Sequence, residues 1–132
     1  MGFLAPHTER IYAAFRFMAG LMFVQHGFQK LFGWFGGTPD GSPAAIVYGA
    51  GTIELAGGAL VALGLFAGPA AFIASGTMAF AFAFHAFVIS NPKSIFPIVN
   101  QGELAALYCF AFLFIAAKGS GIWSVDAARA GR

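Results

Sequence analysis

Four apolar segments, each close to membrane-spanning length, divide this chain at residues 11–32, 45–66, 70–90 and 101–117. A spanning helix needs about 20 mostly apolar residues, so four spans consume most of the chain and leave short connections. Breakers stand between them: "GWFGGTPDGSP" after the first, Gly68-Pro69 before the third, and "SNP" at the end of the third. Composition agrees, because 9% charged residues is far below the roughly 25% of soluble domains. The sequence therefore predicts an all-α integral membrane protein. Residues 1–132 form a single transmembrane domain, a four-helix bundle running up-down-up-down in the lipid bilayer.

The net charge of +2 comes with no Lys/Arg cluster, which argues against nucleic-acid binding. Cys109 is the single cysteine, so neither a disulfide framework nor a CxxC pair exists, and it reads as a small buried hydrophobe. Arg16 interrupts the first apolar segment and no convincing small-residue cleavage site follows it, so that segment reads as a span and not a signal peptide. With four spans, Arg10, Arg16, Lys118, Arg129 and Arg132 fall on one side and only Lys30 and Lys93 on the other. The excess marks the side of both termini as cytoplasmic. Trp34 and Trp123 sit where interfacial aromatics belong.

The informative residues are the ionisable ones inside the spans. Glu54 shares a helical stripe with Ala50, Gly57, Val61, Gly64 and Gly68, and small residues on one stripe let another helix approach closely. A carboxylate at that depth faces the bundle interior, where it needs a partner or a polar cavity. In the first span Arg16, Gly20, Phe23, Gly27 and Lys30 form one stripe, with His26 on its edge. In the third, His85 continues a stripe of Ala71, Ala74, Met78 and Ala81, while Phe80, Phe84 and Phe87 occupy a neighbouring face. The fourth opens with Glu103 and has a less regular inward stripe of Ala106, Phe110, Leu113 and Ala117. His85 lies roughly 8 Å inside the outer end of its helix at 1.5 Å per residue. His26, Lys30, His85 and Glu103 thus fall in the outer half of the bundle, Glu54 lies near mid-bilayer, and Arg16 stands apart near the cytoplasmic face.

Each of these has a plainer reading. Asn100 precedes Glu103 by three residues, the spacing of a capping box. Arg16 and Lys30 can snorkel to their nearer interfaces. His26 and His85 can be hydrogen-bonded core histidines. Glu54 is hardest to dismiss, because it can neither cap its helix nor snorkel far, and Lys30 is its expected counter-charge. Taken together, His26, Glu54, His85 and Glu103 have the ligand types of a transition-metal site. They lack the Glu-x-x-His pairs of di-iron bundles, and a nearby lysine competes for the carboxylates. Acid and base groups facing an apolar cavity also suit a quinone head, whose reduction needs protons and hydrogen bonds to two oxygens.

The succession "R..MAGLMFVQHGFQKLFG", "GTIELAGGALVALGL", a late histidine in the third span, "NQGELAALY" and "GSGIWSVD" resembles the DoxX family over about Arg10 to Asp126. The shared positions are Arg16, His26, Gly27, Lys30, Glu54, Gly57, Gly58, Asn100, Glu103 and Asp126. The resemblance implies a small four-helix protein of the bacterial-type inner (plasma) membrane, associated with redox enzymes. The leading expectation is a membrane subunit of an oxidoreductase system, with a quinone or other small redox molecule in the outer half of the bundle. Glu54, Lys30, His26 and His85 are the candidate catalytic residues, and Arg16, Glu103, Asn100 and Tyr108 the candidate cofactor-binding ones. Its partners would be other subunits of a membrane redox complex, a soluble oxidoreductase, or further copies of itself. The rival readings are a non-catalytic anchor or assembly subunit, a metal-binding protein using His26, Glu54, His85 and Glu103, and a small-solute transporter. The last is disfavoured by the absence of an inverted-repeat signal.

Overall fold

The computed structural model describes residues 2–131; Arg132, counted in the charge argument, lies outside the described residues. These residues form helices and turns, with no strand among them. A 3-10 turn leads into α1 (Thr8–Phe32), and after a second such turn come α2 (Ala44–Leu63) and α3 (Ala67–Phe84). The last turn of α3 widens into a π-helix, His85–Ile89, closed by the Ser90 amide donating to the His85 carbonyl at 3.0 Å. A short α4 (Pro97–Asn100), then α5 (Glu103–Lys118) and a small α6 (Val125–Arg129) complete the chain.

The breakers act mostly as expected, with one displacement. Gly33 ends α1 and Gly64 ends α2, both with left-handed backbone, φ 70° and 67°. The turn into α3 is Gly64–Phe66 and not Gly68-Pro69. Pro69 is the third residue of α3, inside the first turn, where a missing N–H breaks no intrahelical bond. Phe66 holds φ 48°, a conformation that costs a non-glycine residue energy, and the Asp126 carboxylate accepts its N–H at 2.8 Å. The closing Asp126 is thereby a brace for the α2–α3 turn.

Among the described residues, only α2 and the continuous helix Ala67–Ile89 are long and apolar enough to cross a membrane by length and composition, with mean hydropathy 1.6 and 1.8. Sequence reasoning expected four such helices. The difference lies in α5, which has 16 residues, and in α1, whose Glu9, Arg10, Arg16 and Lys30 make it more polar.

Helix α1 packs against α2 in the opposite sense: Gly20 meets Gly58, Gly27 meets Leu55, and Lys30 meets Gly51. The first two are backbone-to-backbone contacts, and the third sets the Lys30 side chain against the α2 backbone. A Cβ at Gly27 would stand 2.6 Å from the Leu55 nitrogen, so only glycine fits there. The α1 stripe is as expected. On α2 the buried face is Gly51, Glu54, Gly58 and Val61, one position round from the expected stripe, with Gly57 half-buried and turned toward Ala70 of α3.

Helix α3 buries Ala67, Ala70, Ala71, Ala74, Ser75 and Met78. It lies antiparallel to α5, where Ser75 donates to the Cys109 carbonyl at 2.8 Å. The inward stripe of α5 is Ala105, Tyr108, Phe112 and Ile115, which corrects the expected Ala106, Phe110, Leu113 and Ala117. That helix is apolar on every side, so periodicity could not orient it. Phe23 of α1 closes the centre against Tyr108 and Phe112, at ring-centroid distances of 5.5 and 4.6 Å.

Candidate functional site

Close approach of two backbones creates the site. Gly27 admits the Leu55 backbone, and Gly51 leaves room for Lys30, since a Cβ there would stand 2.9 Å from the lysine Cβ. Lys30 is thus held in the last turn of α1, where the helix dipole favours a cation. Its Nζ donates to both carboxylate oxygens of Glu54, at 2.8 and 3.0 Å. The Glu54 side chain is 4% exposed and that of Lys30 20%. A buried ion pair of this kind holds only while both members are present, because either alone is an uncompensated charge.

The pair forms one wall of a cavity of about 230 Å³. His26, His85, Gln101 and Tyr108 supply further polar groups, and Phe23, Met78, Ala81, Leu104 and Ala105 supply apolar ones. Every long helix contributes to this lining. The Tyr108 ring is fixed by stacking on Phe112, 5.5 Å away and 9° from parallel, and by an edge-on contact with His26 at 6.0 Å. His85 arrives from the first residue of the π-helical turn, a widened geometry frequent at functional sites.

Two polar atoms of this cavity stand out. The Tyr108 hydroxyl and the His85 Nδ1 are both buried and have no hydrogen-bond partner among the described residues. Tyr108 as a whole is only 6% exposed. Each such orphan costs on the order of 1–3 kcal/mol if nothing meets it. Both belong to residues that line the same small cavity, one a phenol that can donate or accept and the other an imidazole nitrogen that can do either according to its tautomer.

The other expected site residues lie elsewhere. Arg16 was expected to bind a cofactor, but its guanidinium is committed to backbone. Nη1 donates to the Val61 and Ala62 carbonyls at 2.7 and 2.8 Å, and Nη2 to the Trp123 carbonyl at 2.9 Å. It ties the C-terminal end of α2 to the 119–126 segment, at the helix end where a cation is favoured. Asn100 is buried, yet it serves its own loop: Oδ1 accepts from the Gly102 amide at 2.6 Å, and Nδ2 donates to the Ser94 carbonyl at 3.0 Å. The capping box with Glu103 does not form, because Gly102 is the residue that precedes α5. Glu103 is exposed and does not line the cavity. The alternative metal set is therefore not gathered, and no group of three or more His, Cys, Asp or Glu among the described residues is placed to hold a metal ion.

Gln101 is the cavity residue that sequence reasoning missed. It holds a left-handed backbone, φ 59°, between Asn100 and Gly102. Nothing in its type or spacing points to the cavity.

Comparison with known proteins adds a family and no activity. The DoxX family model matches residues 11–86. A Haemophilus influenzae protein described as uncharacterized is 37% identical over 131 residues, covering 96% of each chain. No solved structure matches significantly. The chain belongs to the DoxX family.

Proposed function

We propose that this DoxX-family membrane protein binds a quinone or another small redox molecule in the cavity beside Lys30 and Glu54, as a membrane subunit of an oxidoreductase system. In this reading α1, α2, α3 and α5 cross a bacterial-type inner membrane up-down-up-down, with both termini cytoplasmic. The surface supports it. Only 28% of the α2 span and 22% of the α3 span are buried, whereas a core helix of a soluble protein is mostly buried. Phe17, Phe72, Leu107 and Phe110 all point outward, an apolar cover suited to lipid. Arg10, Arg16, Lys118 and Arg129 cluster toward the end that carries the α2–α3 turn, which supports the orientation.

The residues present fit such a head group. Lys30 and Glu54 neutralise one another, so the cavity carries no net charge from them. Tyr108 and His85 hold the free hydrogen-bonding atoms needed to meet two oxygens. A bound quinone would supply carbonyl–hydroxyl redox chemistry. The protein would orient the ring between Phe23 and Met78, exclude water, and offer hydrogen bonds from Tyr108 Oη and His85 Nδ1. Lys30 would hold the Glu54 carboxylate in place by donating to both of its oxygens. A partner oxidoreductase, soluble or membrane-bound, would supply or remove the electrons.

The observation that carries this reading is that two residues lining one cavity, Tyr108 and His85, each hold a buried polar atom, Oη and Nδ1, without a hydrogen-bond partner among the described residues. It is tested by equilibrium binding of a tailless dimethoxybenzoquinone to purified protein in mild detergent. Tyr108→Phe should bind about tenfold more weakly, the worth of one hydrogen bond, and the ligand-free variant should unfold no more easily than wild type. No saturable binding by wild type, or equal binding by the variant, would sink the proposal. The Lys30–Glu54 pair favours a second reading, a non-catalytic anchor whose ion pair only fixes helix register. That reading predicts no ligand dependence on Tyr108 at all.

A further inference from the structure

The polar cavity adjoins a larger space with which it shares lining residues. A groove of about 1020 Å³ lies between α2 and α3 and shares Lys30, Glu54, Met78, Ala81 and His85 with it. Away from that shared end its walls are apolar, chiefly Ile46, Val47, Ala50 and Ile53 of α2 facing Phe80 and Phe84 of α3. The groove has a simple packing origin. Near their turn the two helices touch, with Gly57 against Ala70 in ordinary contact. Farther on they part, because Gly51 and Gly58 of α2 lie against α1 while Ser75 of α3 bonds to α5. At Gly76 an added Cβ would meet nothing within 4 Å. The 37–43 segment contributes the remaining wall.

The chemistry is graded along this path. Hydrogen-bonding groups and a self-neutralised ion pair stand at one end, aliphatic and aromatic side chains dominate the α2 and α3 walls, and Thr38, Asp40 and Ser42 lie on the 37–43 wall. A groove along the side of two apolar helices opens toward the surroundings of those helices, which for a membrane protein is lipid. We propose that it is a lateral entry path and tail-binding channel for a lipid-soluble amphiphile with one apolar chain and an uncharged, hydrogen-bonding head. The head comes to rest against Tyr108 and His85, and the chain lies between α2 and α3. An ionised head would find its counter-charge already taken, since Lys30 and Glu54 satisfy each other. This rests on the reading that the cavity receives a polar head, and it adds the class of ligand and its route.

Three probes test it on the full-length protein in nanodiscs: the tailless benzoquinone, the same head on a decyl chain ending in a photoactivatable diazirine, and a decyl diazirine with no head. After illumination, adducts are mapped by peptide mass spectrometry. The headed, tailed probe should label residues 46–53 and 77–84, and excess unlabelled tailed quinone should suppress the labelling. Ala50→Phe, which narrows the groove, should reduce those adducts by about fourfold, the worth of one buried methylene, while tailless binding stays within about twofold. Labelling of the outward faces around Phe72 and Phe110 in the pattern of the headless probe would mean simple lipid partitioning and would overturn the channel. Unchanged labelling in Ala50→Phe would do the same. Loss of binding by the tailless probe to wild type would overturn the cavity reading, and this proposal with it.

Discussion

Gly57 and Gly58 are neighbours in sequence, and the structure assigns them opposite tolerances. A Cβ added at Gly58 would stand 2.8 Å from both the Gly20 carbonyl oxygen and the Val24 nitrogen of α1, against about 3.4 Å for ordinary contact. Both obstacles are backbone, so neither can rotate away and α1 must move. Overpacking of this kind costs about 1–3 kcal/mol. At Gly57 the same atom would stand 3.9 Å from the Ala70 carbonyl, with no steric penalty. Both substitutions gain the same helix propensity, about 0.8–1 kcal/mol for Gly→Ala, so that term cancels in the comparison. Gly57→Ala should therefore be neutral or stabilising. Gly58→Ala should be less stable than Gly57→Ala by about 1–3 kcal/mol. Unfolding followed by circular dichroism in mixed micelles, titrating a denaturing detergent, gives the difference directly. Gly58 lies one turn from Glu54, so the displaced α1 should also loosen the Lys30–Glu54 pair and weaken quinone binding. Equal stability of the two variants would refute the close α1–α2 contact on which the site depends.

Three further outcomes follow from the polar contacts. Glu54→Gln should destabilise by about 2–3 kcal/mol, toward the low end for a buried pair because Lys30 is partly exposed, while Lys30→Met with Glu54→Leu together should fall within about 1 kcal/mol of wild type; the same detergent titration checks it, and additive effects would contradict the pairing. Arg16→Met should cost about 3 kcal/mol or more by stranding the Val61, Ala62 and Trp123 carbonyls. Arg16→Lys should rescue it only in part, since one ammonium cannot span the guanidinium fork, and earlier proteolytic cleavage within residues 119–126 would report the release. The Asp126 carboxylate also accepts from the Ser120 hydroxyl at 2.6 Å, so Asp126→Ala should cost about 1–2 kcal/mol through the freed Phe66 amide and that lost bond, measured as a lower thermal midpoint, with binding of the benzoquinone probe unchanged.

The legible parts of the site lay on single helices. Arg16, Gly20, Phe23, Gly27 and Lys30 fall on one stripe because steps of three and four residues return to one face, and all but Lys30 are buried residues of α1. The Lys30–Glu54 pair was also legible, since opposite charges in apolar helices have few other ways to be satisfied. Illegible parts depended on partners distant in sequence. Arg16 looks like a ligand-binding cation until its acceptors are seen, and these are backbone carbonyls 45 to 107 residues away that carry no side-chain signature. Asn100 matched a capping spacing, but a left-handed Gln101 redirected it to its own loop.

The sequence alone determined that the chain is helical and apolar, roughly where its helices break, and that Arg16, Lys30 and Glu54 must turn inward. Those are local matters of periodicity, turn chemistry and the cost of an unpaired charge. Only the tertiary structure decided which faces meet. A helix apolar all round, such as α5, has no preferred rotation of its own, and its inward edge was set by Phe23 and the ring stack it forms with Tyr108 and Phe112. That rotation brought Tyr108 to the cavity that His85 also lines and left Glu103 outside it.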